Sequence, residues 1–138
     1  MAESYSKIFK PEGVAPPGGK YNHAVRVRGG EFLIIAGQIA TDINGKLVGA
    51  NDAGAQTKQV FANLDAILKS AGGSWDNVVE LMYYIVGRKN VQPFMDARTA
   101  IFAEKYPKAN YPTATLLVVE GLAREELLIE VSGVAILP

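Results

Sequence analysis

Residues 52–86, DAGAQTKQVFANLDAILKSAGGSWDNVVELMYYIV, decide the class of fold. Their first half is helical in period: Val60, Leu64, Ile67, Leu68 and Ala71 recur at three- and four-residue spacing, with Lys58, Asn63, Asp65 and Lys69 outside that stripe. Asn51 or Asp52 can cap the start and Gly72-Gly73 stops it, so a helix is predicted from Asp52 to Ala71. Ser74-Trp75-Asp76 reopens the chain, and Val78 to Val86 then reads as a strand through its Met82-Tyr83-Tyr84-Ile85-Val86 run.

Downstream, Pro93 suits the first turn of a second helix, whose apolar stripe is Phe94, Ala97, Ile101 and either Ala100 or Phe102, ending by Tyr106-Pro107. Ala114 to Val119 and Leu127 to Ile136 are nearly continuous apolar strands, and the short polar link Glu120 to Glu126 suggests a hairpin between them. Upstream, Tyr5, Ile8 and Phe9 could anchor a first strand, and PEGVAPPGGK at 11–20 breaks any ladder. Tyr21 to Arg28 alternates with Tyr21, His23, Val25 and Val27 on one face. Gly29-Gly30 signals a hairpin, with Glu31 to Ile39 as the partner strand. The order is β-β-β-α-β-α-β-β, a sheet with two helices on one face in the α+β class, forming one domain over 1–138. Several strands are too continuously apolar for a sheet with one solvated face, which suggests that other subunits cover the second face.

The inventory restricts the chemistry. Among 138 residues there are 14 basic and 14 acidic side chains, one histidine and no cysteine. Thiolate metal clusters, redox pairs and cysteine nucleophiles are excluded, and no metal site is expected from a single imidazole. A net charge of zero provides no field for collecting phosphate backbones, and the sparse basic set Lys20, Arg26 and Arg28 reads as a solvated strand edge. The start MAESYSKIFKPEG lacks the apolar run of a signal peptide and no stretch reaches membrane-span length, so a cytoplasmic location is expected.

Glu130 stands out physically because it interrupts the apolar run LLIEVSGVAILP. Burying it ionised without partners would be very costly, so it is either protonated, held by donors, or a strand residue pointing to solvent and paired across the hairpin. A carboxyl of raised pKa would suit a general acid or a water-orienting group. His23 offers no triad geometry and reads as structural or solvent-exposed. Asp42-Ile43-Asn44-Gly45 lacks the remaining ligands of a calcium loop and reads as a turn. The Gly-Gly pairs at 18, 29 and 72 lack the Lys-Ser/Thr of a phosphate loop. Tyr83-Tyr84 and Trp75 are read as core rather than as a base-stacking platform.

Several stretches together resemble the RidA (YjgF) family of reactive-intermediate deaminases. They are Ile35-Ala36-Gly37-Gln38-Ile39, Asp42 to Gly49, Gln56 with Asn63-Leu64 and Ile67-Leu68, Tyr111-Pro112-Thr113-Ala114-Thr115, and Ile129-Glu130-Val131-Ser132-Gly133-Val134-Ala135. The resemblance runs from about residue 5 to 136. It implies a chorismate-mutase-like fold of the bacillus type, assembled as a homotrimer with ligand clefts between subunits. It also implies hydrolysis of small imines or enamines to the carbonyl and ammonia, with no metal or cofactor. By the same resemblance Tyr21 sits at the cleft mouth, Gly37 allows close backbone approach, Glu130 steers the water, and the main chain near Leu116 helps to hold the substrate.

One departure carries weight. The family's deaminating members have an arginine two residues after the motif proline, gripping the substrate carboxylate. Here that position is Ala114, and a one-residue slide gives Thr115. Losing a charge-assisted contact costs about 1.5–3 kcal/mol, so classical 2-iminoacid deamination is expected to be weak or absent. Arg98, on the second helix, either restores the cation from another direction or is a surface arginine, the reading favoured by its place on a helix. The expected ligand is a small carbonyl, imine or enamine, not a nucleic acid or a membrane. The rival readings are a non-catalytic, metabolite-binding or regulatory trimer, and an endoribonuclease or translation inhibitor, which the neutral charge disfavours.

Overall fold

Asp52 opens the first helix as the sequence predicts: its carboxylate accepts from the Ala55 N–H at 2.9 Å, satisfying one of the amides that a helix start leaves free. At the other end the Gly73 N–H reaches back to the Leu68 carbonyl at 2.8 Å, with Gly72 at φ +78°, a conformation that glycine adopts without strain. In the computed structural model, which describes residues 5–138 with side chains from residue 8 onward, the elements are β1 (Tyr5–Phe9), β2 (Ala24–Arg28), β3 (Glu31–Ile39), α1 (Ala53–Ser70), β4 (Val78–Val86), α2 (Val91–Lys105), β5 (Thr113–Val119) and β6 (Ile129–Leu137). This is the expected order and class. The side chain of Tyr5, one of the candidate anchors of the first strand, lies outside the described residues.

The pairing differs from expectation in two places. Gly29 and Gly30 both have positive φ and do turn the chain, yet β2 pairs with β1 as a separate two-stranded ribbon. The expected partner, β3, instead pairs with β6, antiparallel from Glu31↔Leu137 to Ile39↔Glu130. Nor do β5 and β6 form a hairpin. α2 supplies the crossover that parallel strands require, so β5 lies parallel beside β4 at the sheet edge. β6 then inserts between β3 and β4, giving the order β3-β6-β4-β5.

Strand alternation separates the two faces of this sheet. Leu81, Tyr83 and Ile85 of β4 and Ile129, Val131 and Ala135 of β6 are buried. They form one hydrophobic core with Val60, Phe61, Leu64 and Leu68 of α1 and Phe94 and Phe102 of α2. Fully burying each such side chain contributes about 1.5–3 kcal/mol. Gln56, wholly buried on α1, binds the layers by polar means. Its amide donates to the carbonyls of Gly49 and Glu126, and its carbonyl accepts from the Leu128 N–H at 2.8 Å. Among the described residues no helix is long and apolar enough to cross a membrane.

Candidate functional site

Residues of the uncovered sheet face alternate with those of the core. Register places Ile39, Glu130, Tyr84 and Leu117 in one row across β3, β6, β4 and β5, and Ser132, Met82 and Thr115 in the next. Glu130 is thus half-buried on the face opposite the helices. No side chain among the described residues bonds or pairs with its carboxylate: it is turned away from the helix-covered core, and neither the donors nor the cross-hairpin pairing that the sequence reading allowed is present there. A register irregularity between Ile35 and Gln38 brings Gly37 against it. A β-carbon added at Gly37 would collide with the carboxylate and lie 2.8 Å from its Cδ and 3.0 Å from its Cγ. The bulge and the missing side chain let the Glu130 head group lie flat on the β3 backbone.

The remaining candidates do not gather around Glu130. Tyr21 lies in the loop before β2, its ring edge-on to His23 at 5.8 Å. The adjacent Asn22 anchors that loop to β5's entry, donating to the Pro112 carbonyl at 3.0 Å and to the Tyr111 carbonyl at 2.7 Å. Ala114 stands beside Leu81, and Leu116 beside Tyr83, on the helix-covered face, whereas Thr115 is exposed beside Met82 on the other. Within one chain, therefore, Gly37, Glu130 and Thr115 belong to one side of the sheet, and Ala114 and Leu116 to the other.

Arg98 corrects the sequence reading. It is not a surface arginine: it is buried on the inner face of α2, with its guanidinium over the rings of Tyr83, Phe94 and Phe102. Three aromatic faces make that burial tolerable for a cation. The signal was present in sequence, because Arg98 lies four residues from both Phe94 and Phe102 and so falls on their stripe. Beneath it, burial pushes the Tyr83 hydroxyl up to about 12, against the opposing pull of the Arg98 charge.

Other expectations are met structurally. A His23 ring nitrogen lies 2.6 Å from the Ala15 carbonyl. Asp42 closes its turn by accepting from the Asn44 and Lys46 amides. Trp75 and Tyr83 are core, the Trp75 indole N–H donating to Asp65 at 2.9 Å, but Tyr84, also expected in the core, is half-buried on the uncovered face in the row of Glu130, because alternation along β4 turns it away from the helices.

The comparisons with known proteins agree with this architecture. The family model described as Endoribonuclease L-PSP matches residues 12–137. A RutC family protein of Synechocystis is 35% identical over 133 residues, covering 96% of this chain and 97% of that protein. The 3-aminoacrylate deaminase RutC of Acinetobacter baylyi is 30% identical over 129 residues, covering 94% and 96%. Among solved structures, the Rid family protein YyfB of Yersinia pestis, described as of unknown function, superposes with a TM-score of 0.83 at 36% identity, covering 96% of this chain and 98% of that one. The chain belongs to the RidA (YjgF) family.

Proposed function

We propose that this protein is a cofactor-free hydrolase of small imines or enamines, working as a homotrimer in clefts between subunits, with Glu130 as the group that orients and deprotonates water. The observation that carries the reading is the Glu130 carboxylate, half-buried, fitted against Gly37 and left without a protein partner among the described residues. Such a carboxylate has its lone pairs free for a water molecule. In the reaction, Glu130 accepts a proton as water oxygen bonds to the C=N carbon. The proton taken from water is passed to the nitrogen, giving a carbinolamine; its hydroxyl proton is then moved to the amine as the C–N bond breaks, and a carbonyl compound and ammonia leave. The relative named as a 3-aminoacrylate deaminase supports this class of substrate.

Assembly enters because the candidates divide between two sheet faces. A cleft that includes both sets can form where the Glu130 face of one copy meets the β5 edge of another, with Gly37 and Glu130 on one side and Tyr21, Thr115 and the Leu116 main chain on the other. Position 114 presents no cation there, so the grip of classical 2-iminoacid deamination is missing from β5. The zero net charge favours a small metabolite over RNA as ligand.

Ammonia release from freshly generated imines and enamines tests the reading. Turnover by the wild type is expected to fall at least a hundredfold in Glu130→Gln and Glu130→Ala, both folded. Turnover unchanged from the wild type in both variants would make Glu130 structural. Saturable binding without product would identify a metabolite-binding protein instead.

A further inference from the structure

α2 carries a cation that the rest of the fold does not neutralise. Arg98 is 5% exposed, and its guanidinium carbon lies 5.6 Å from the centre of the Tyr83 ring and 5.7 Å from those of Phe94 and Phe102. None of the ion pairs among the described residues includes it. Its Nε and the Tyr83 hydroxyl are both buried without a hydrogen-bond partner among the described residues. A guanidinium cannot shed its proton to escape burial. Aromatic faces offset part of the lost hydration, but they accept no in-plane N–H bond, and a buried donor left unpaired is expensive. The Arg98 guanidinium also acts on the Tyr83 hydroxyl through its charge and as a donor, but the bonding capacity of Nε and of the hydroxyl is not filled, so an acceptor brought to them would complete the pair.

The cage has one thin wall. Tyr83 lies beside Leu116 in the β4–β5 ladder, so Ala114, Leu116 and Val118 share its face of the sheet. That face is otherwise roofed by helices, yet Leu116 is 36% and Val118 39% exposed, so α2 leaves the β5 edge open. Arg98 and its aromatic cage thus lie on the same side of the sheet as the partly exposed margin between α2 and β5.

We propose that this margin is an anion subsite in which Arg98, positioned by the Tyr83 hydroxyl, takes the carboxylate of a small organic acid. The inference rests on the proposed function in that the acid would be an imine or enamine substrate, or its carbonyl product. Arg98 touches the ligand; Tyr83 acts through Arg98. The grip absent from β5 is thus supplied by the helix behind it, and the acids accepted are those whose carboxylate reaches past Leu116.

Pyruvate and its neutral amide, pyruvamide, are the probes, titrated into the purified protein while the arginine Nε–H resonances are followed by NMR. Pyruvate is expected to shift the Arg98 resonance and to bind roughly tenfold to a hundredfold tighter than pyruvamide, the worth of a charge-assisted contact. Arg98→Met should erase that preference, Tyr83→Phe should lower it severalfold, and Ala114→Arg added to Arg98→Met should restore part of it. Where Arg98→Met fails to fold, the wild-type resonance and Tyr83→Phe carry the test. An Arg98 resonance unmoved by saturating pyruvate, or an unchanged preference in folded Arg98→Met, overturns the subsite. Imine turnover measured in parallel separates the two claims. Turnover without any Arg98-dependent preference overturns the subsite alone. An Arg98-dependent preference without turnover supports the subsite and overturns the hydrolase.

Discussion

Substituting alanine for Gly37 would place a methyl group on the Glu130 carboxylate, the mobile end of a side chain, and not on backbone. The carboxylate can swing away, so Gly37→Ala is expected to change stability by less than about 1 kcal/mol while reducing turnover nearly as far as Glu130→Ala does. Paired denaturation and ammonia-release measurements check this. Gly133 makes the contrast. A β-carbon there would lie 2.9 Å from the Glu80 carbonyl oxygen, which cannot retreat without disturbing the β4–β6 ladder, and 3.0 Å from a methyl group of Leu81, which is packed in the core. Gly133→Ala should destabilise by about 1–3 kcal/mol in urea unfolding. At this scale Glu130 was legible because a carboxylate in an apolar run demands an explanation. Gln56 is a motif residue, but its three buried bonds are not foreseeable from sequence, since the carbonyls of Gly49 and Glu126 and the Leu128 N–H meet it only after the chain has folded. Arg98 was misjudged because charge outweighed spacing, although its stripe was apolar on both sides.

Helices and strands were legible to within three residues, the start of β2 at Ala24 rather than Tyr21 being the largest difference, because caps, glycines and apolar periods are local. Pairing was not, because it depends on which edges remain free after every element has docked. The Gly29-Gly30 turn shows this: its backbone suits a hairpin, but β3 finds in β6 a longer partner. Elements are also joined by charge. Asp65 of α1 takes the Trp75 indole N–H, Lys69 at 2.6 Å and Lys105 of α2 at 3.6 Å. Burial alone would raise its pKa, but the bonds from Lys69 and Trp75 and the charges of Lys105 and Lys69 outweigh that and hold it below the usual carboxylate value. A lowered folded-state value means stabilisation that is complete above the unfolded value near 4 and lost as pH falls through the folded one. Asp65→Asn should therefore be about 1 kcal/mol less stable than wild type at pH 7, with the gap closing toward pH 3 in urea titrations.

For the whole molecule, the uncovered sheet face and its edges set the expectations. Phe32 and Ile34 on β3 and Leu117 on β5 are exposed apolar side chains on that one face, a combination a lone subunit has little reason to keep. Light scattering should give a mass three times 14.8 kDa for the wild type, and Leu117→Lys should move it toward the single-chain value. A wild-type monomer would count against the shared cleft.

The strand order has a consequence for how the protein comes into being. β6 is the sixth of six strands to leave the ribosome, yet it is the one that lies between β3 and β4 and bonds to both. Until it emerges, β3 has no neighbour in its sheet and the β4–β5 pair has a bare inner edge, so α1 and α2 wait over an incomplete floor. Such late, non-local closure slows folding and leaves sticky edges exposed in the meantime. The nascent chain should be most vulnerable to proteases and to aggregation just before residues 129–137 appear, and a release delayed at that point should lower the yield of native protein more than one placed anywhere earlier.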